Sequence, residues 1–167
     1  MRHIWLNPKS CKLNLLRKEI SQKLTTRYKQ KWQNQVNDRN SCTLYRTFKN
    51  QLSLERYLLL PDCADKINIA KFRCRNSKIP VVILGHAHRN INYENRICPL
   101  CNMGEIGDEF HYILQCPTFH LQRLRYLENY YLIDPNREKF TQLFQNENFS
   151  TLRNLAKLIT VINEKFK

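Results

Sequence analysis

Arg96-Ile97-Cys98-Pro99-Leu100-Cys101 is followed by a polar loop with two glycines, and then by Glu109-Phe110-His111-Tyr112-Ile113-Leu114-Gln115-Cys116-Pro117. Reduced to residues able to bind a metal, the stretch reads Cys-x2-Cys-x9-His-x4-Cys. Two cysteines three positions apart can grip one ion from a tight turn, and a histidine and a cysteine five apart can close a tetrahedron from the far side. Cys3His is one of the closed structural zinc sets, with every position filled and none left for a catalytic water. Cys98, Cys101, His111 and Cys116 are therefore the expected ligands of a zinc ion that holds structure and does no chemistry.

Other readings of the same residues exist. Cys98 and Cys101 fit a thiol redox pair, but such pairs precede a helix, whereas Asn102 to Asp108 has the composition of a loop. That reading also leaves His111 and Cys116 without a role. All four residues could simply be buried, as free cysteine often is. His120 is an alternative ligand in place of His111 or Cys116, and His86-x-His88 beside Gly85 is a weaker competitor.

The 167 residues suit one domain with a real core. No run of about 18 apolar residues indicates a membrane span, and the first residues lack a secretory signal. Seven cysteines without framework spacing point to free thiols in a reducing compartment, nuclear or cytoplasmic. The net charge is +14, and residues 1–50 carry 12 Lys/Arg against 2 Asp/Glu, whereas residues 101–167 carry 8 against 8. A basic first half points to a polyanion, with nucleic acid ahead of a membrane surface.

Periodicity predicts a mostly α protein with at most a short β element. Residues 1–42 form a basic amphipathic helical segment, and residues 43–167 a helical domain containing the knuckle at about 96–120. Leu13, Leu16, Ile20, Leu24, Tyr28, Trp32 and Val36 step by three or four along one helix face. Core packing of this stripe, with the opposite basic face in solvent, is the expected use. Asp62 should cap a helix to about Arg75 that buries Ile67, Ala70, Phe72 and Cys74. Lys78 to Leu84 reads as extended around Pro80, and Ile91 to Ile97 as a short strand. Asp108 should cap the helix carrying His111. Pro117 opens a further helix through Leu121 and Leu124 to about Tyr131, Asp134-Pro135 starts another, and Ser150 caps the last.

Three pieces in order resemble a known family. Leu44-Tyr-Arg-Thr-Phe-Lys49 leads to Glu55-Arg-Tyr-Leu58, Ile69-Ala-Lys-Phe-Arg73 leads to Lys78-Ile-Pro80, and then comes the Cys98 to Pro117 stretch. Together they resemble the zinc-binding region downstream of the polymerase in reverse transcriptases of non-LTR retrotransposons. The resemblance covers roughly residues 44–130 and implies zinc on the same four ligands, with a role in holding template RNA or target DNA. Departures are present. The acidic residue and Gly-Arg frequent after the proline segment are replaced by Val81 to Arg89, and the chain has no adjacent aspartates of a polymerase site. The expectation is a non-catalytic module, read as a detached tail of such a polymerase or a remnant open reading frame. Lys71, Arg73, Arg75, Arg89 and Arg96 are its expected phosphate contacts, and Tyr93, Tyr112 or Phe119 could stack on bases. The alternative is a structural module that docks on a polymerase core.

Overall fold

The computed structural model describes residues 13–39, 42–83 and 91–167. The chain divides into two compact units, Met1–Arg39 and Asn40–Lys167. The first contains α1, Leu13–Asp38, a 26-residue helix. Its predicted apolar stripe is mostly uncovered: Leu13, Ile20, Leu24 and Tyr28 are exposed, Leu16 and Trp32 are half-buried, and Val36 alone among the seven is buried. The basic positions Arg17, Lys18, Lys23, Arg27, Lys29 and Lys31 are all exposed.

The second unit is helical, and its described residues contain no sheet. It comprises α2 (Thr43–Phe48), α3 (Cys63–Arg73), α4 (Pro80–Ile83), α5 (His120–Tyr126), α6 (Asn129–Leu132), α7 (Arg137–Gln145) and α8 (Phe149–Glu164). A π-helical turn spans His111–Gln115, and 3-10 turns span Arg56–Leu59, Tyr93–Asn95 and Pro117–Phe119. Helices α3 and α8 form the main packed pair. Ile69 and Phe72 of α3 and Leu152, Leu155, Leu158, Ile159 and Ile162 of α8 are all buried, and Asn68 donates to the Thr160 hydroxyl between the two helices. Phe140 and Phe144, one turn apart on α7, join the remaining layers. Phe144 stacks on Phe48 at 4.6 Å and on Phe72 at 5.8 Å, while Phe140 meets Phe110 edge-on at 5.8 Å. Such pairs contribute about 0.5–1.5 kcal/mol each beyond area burial.

Caps explain where the helices begin. The Asp62 carboxylate accepts from Ala64 N at 2.6 Å and starts α3 as expected. Asn136 caps α7 in place of Asp134-Pro135, and Asn148 caps α8 in place of Ser150. In both cases the capping side chain lies in an extended residue just ahead of the first turn.

Four further sequence expectations need correction. The inward face of α3 carries Ile69, Phe72 and Arg73, and Ile67 is exposed. Residues 80–83 form a helical turn, because Pro80 suits a first helical position and β propensity is a weak prior. Residues 93–95 form a 3-10 turn, leaving β pairing only at Ile97, which bridges Ile106. Helix α5 ends at Tyr126, and its Leu121 and Leu124 are exposed. Burial there follows Phe119, Arg123 and Leu127, spaced by one turn, which turns the two leucines outward.

Candidate metal centre

The four predicted ligands come from two local structures. Cys98 and Cys101 sit on a knuckle at the end of a minimal hairpin, in which Cys98 N donates to Glu105 O and Gly107 N to Arg96 O, both at 2.9 Å. Gly104, with φ +69°, supplies the left-handed residue that the return requires. Within the knuckle Leu100 N points at Cys98 Sγ, 3.4 Å away. Thr118 Oγ1 donates to Leu100 O at 2.7 Å and ties the knuckle to the chain beyond the second pair of ligands.

His111 and Cys116 lie at either end of the π turn. Cys116 N donates to His111 O at 2.7 Å. In an α-helix, residues five apart point about 140° from one another. The i→i+5 pattern brings them into a single turn, which is why an x4 spacing can serve one ion. Asp108 fixes the start of this segment. Its Oδ1 accepts from His111 N at 2.8 Å, and its Oδ2 accepts from Tyr93 Oη at 3.1 Å and from Arg137 Nη2 at 2.6 Å. The expected cap is therefore present, and it also ties α7 and residues 93–95 to the site.

The ligand atoms of Cys98, Cys101, His111 and Cys116 all lie within 4.8 Å of one another. Cys98 Sγ is 3.9 Å from Cys116 Sγ, and Cys101 Sγ is 3.4 Å from His111 Nε2. Metal–sulfur bonds of about 2.3 Å and metal–nitrogen bonds of about 2.0 Å on a tetrahedron give edges of roughly 3.8 and 3.5 Å. The donor set thus fits one tetrahedral ion. The sulfur separation is far beyond a disulfide bond of about 2.05 Å, and the six described cysteines are free thiols. His120 is exposed and not part of the cluster. The thiol-pair reading is disfavoured, because a hairpin turn and not a helix follows Cys101. His86 and His88 lie outside the described residues.

Burial sets the electrostatics. It pushes the Cys116 thiol up to about 11 and holds His111 below the usual imidazole range. A cation among these groups opposes the first effect and reinforces the second, displacing the thiol protons and keeping the imidazole neutral. Three thiolates and a neutral imidazole around a divalent ion leave one net negative charge. The buried Arg123 stands beside it, donating to Cys116 O at 2.7 Å and Gln115 O at 3.2 Å. Tyr112 is also fully buried. Burial first, and then a hydrogen bond to Cys98, drive its hydroxyl above the ordinary phenol range. Hydrogen-bond geometry alone gives the Tyr112 oxygen no partner, but a phenol beside a thiol that becomes a thiolate has an acceptor at hand. Gly107 packs directly against this hydroxyl. Sequence reasoning misses Arg123 and Gly107, the latter marked only by the scarcity of glycine, and gives Tyr112 a stacking role in place of this one.

The predicted phosphate contacts do not form one surface. Lys71 is exposed. Arg73 is 3% exposed, paired with Glu55 at 2.7 Å and bonded to Phe144 O at 3.0 Å. It is a core residue, a correction that follows from its place on the inward face of α3. Arg75 adopts φ +50° and closes α3, with Asn76 N donating to Lys71 O at 2.8 Å. Its side chain reaches the buried Glu109 at 3.4 Å, whose carboxyl burial pushes up and Arg75 opposes. Arg96 donates to Ile91 O and Val81 O, and Arg89 lies outside the described residues. Of the predicted stacking aromatics, Tyr112 and Phe119 are fully buried. Tyr93 is half-buried between Arg75 and Arg96.

Comparisons with protein-family models, curated proteins and solved structures find no match to the chain.

Proposed function

We propose that this chain is a non-catalytic, zinc-stabilised module that binds nucleic acid, of the kind the resemblance to retrotransposon reverse transcriptases implies. The observation that carries the reading is the closed sulfur-rich tetrahedron of Cys98, Cys101, His111 and Cys116. Three thiols with one imidazole favour zinc over the oxygen-loving cations and leave no open position for a reacting water. Zinc binding in such sites contributes about 10–16 kcal/mol at neutral pH, as much as the whole stability of a typical domain. Reduced thiols and the requirement for zinc suit a nuclear or cytoplasmic setting.

The polyanion half of the proposal is supported by a net charge of +14 and by the six exposed cations of α1 with Lys71. With Arg73 in the core, α1 is the principal contact surface. A second reading, docking on a polymerase core, is favoured by the uncovered apolar residues of α1, among them Leu13 at 67% and Tyr28 at 63% exposure.

The test is a titration of the zinc-loaded chain against labelled single-stranded RNA and duplex DNA at two salt concentrations. Nucleic-acid binding is expected to be tight at low salt and to weaken steeply as salt rises. Binding that Cys98→Ser abolishes places the contact on the zinc-organised unit, and binding that survives places it on α1. Absence of binding at low salt, together with self-association, rejects this reading in favour of docking.

A further inference from the structure

Arg73 lies on the floor of an open cavity of about 400 Å³. Lys49 beside it is buried as well. One carboxylate serves both: Glu55 Oε1 is 3.3 Å from Lys49 Nζ, and Glu55 Oε2 is 2.7 Å from Arg73 Nη2. The Tyr45 hydroxyl donates to the same Oε1 at 2.7 Å. Two cations and one anion leave a surplus positive charge, which the Ser53 carbonyl beside Lys49 and the Phe144 carbonyl beside Arg73 offset only as neutral acceptors, so a further anion is favoured there. Arg73 Nε is buried and has no hydrogen-bond acceptor among the described residues. At the mouth, exposed Arg56 and Glu147 carry opposite charges, so the surplus inside is not cancelled there.

We infer that this cavity is an anion site for a phosphate monoester, with Lys49 and Arg73 as its charged floor. Guanidinium and ammonium groups together suit the oxygens of a phosphate, and Asn50 and Gln51 on the walls bring neutral amides. A phosphate inside a nucleic-acid strand carries a sugar on both sides and stays at the surface. A terminal phosphate, whether of a free mononucleotide or of a strand end, can descend to a floor residue that is only 3% exposed. The strand-end source rests on the nucleic-acid reading above, and the cavity itself does not.

The experiment is calorimetric titration of the metal-loaded chain with inorganic phosphate and adenosine monophosphate, with melting curves in phosphate against chloride at equal ionic strength. Phosphate is expected to raise the midpoint by about 3 °C or more. Lys49→Gln is expected to weaken binding about tenfold. Glu147→Gln, an exposed change that leaves the core intact, is expected to tighten it about threefold to tenfold by removing a repelling charge. Equal melting in phosphate and chloride overturns the inference, as does phosphate affinity that neither variant changes. Tighter binding of a 5′-phosphorylated strand than of its 5′-hydroxyl counterpart identifies the strand end as source. Equal binding of the two strands, with phosphate binding retained, identifies the free phosphate. If no strand binds while phosphate does, the cavity stands and the nucleic-acid reading falls.

Discussion

Gly107 has no room for a side chain. A Cβ there would lie 2.4 Å from Tyr112 Oη, 3.0 Å from Tyr112 Cζ and 3.1 Å from Cys98 Cα. The hydroxyl belongs to a fully buried ring, and the Cys98 backbone carries a metal ligand, so neither neighbour yields cheaply. Gly107→Ala is expected to cost about 1–3 kcal/mol, read as a lower melting temperature and weaker metal retention against a competing chelator. Tyr112→Phe removes the nearest atom, so the double variant should recover part of that loss and leave the share owed to the Cys98 backbone. Additive single effects in this cycle would mean that the two residues do not meet. Arg73 and Arg75 show how the residue scale resists sequence reading. Both look like cations at a helix end, yet one is drawn into the core by Glu55 and the other takes a left-handed φ and reaches Glu109. Each partner is distant in sequence, and no local pattern announces it.

The π turn His111–Gln115 is both a half of the metal site and part of the core. Tyr112, Ile113 and Leu114 are buried in the same cluster as Ile69 of α3 and Leu155 of α8, and Tyr112 packs edge-on against Phe166 beyond the end of α8 at 5.2 Å. Metal removal should therefore loosen more than the knuckle. With a chelator present, or in Cys116→Ser, amide exchange protection is expected to fall in α8 as well as in residues 96–131. A chelated protein whose α8 amides stay protected would confine the metal's effect to the knuckle. At this scale the sequence was largely readable. The Cys-x2-Cys-x9-His-x4-Cys spacing named the four clustered residues, Asp62 and Asp108 capped where expected, and the helices of the second half lie near their predicted positions. The errors concern phase and partner. Leu121 and Leu124 lie on the expected helix but face solvent, because its buried face is set by Phe119, Arg123 and Leu127. The π turn itself carries no propensity signal, and only the x4 interval hints that residues five apart must meet.

Across the whole chain, charge and burial separate, and this decides how the nucleic-acid proposal is best tested. Reversing Arg73 would place a carboxylate beside Glu55 in the core. The expected result is loss of the folded unit, at about 3–5 kcal/mol for a broken buried pair, so lost binding in that variant would report folding and not contact. The surface question belongs to α1. Lys23, Arg27 and Lys31 are exposed and one turn apart on one face. Each phosphate contact contributes roughly −0.7 to −0.9 to the slope of log affinity against log salt. Changing all three to Glu is expected to flatten the slope by about two to three units while the melting of residues 40–167 stays unchanged, whereas Lys71→Glu flattens it by about one at most. An unaltered slope in the triple variant would remove α1 from the contact surface, and its exposed leucines would then be the stronger guide to its partner.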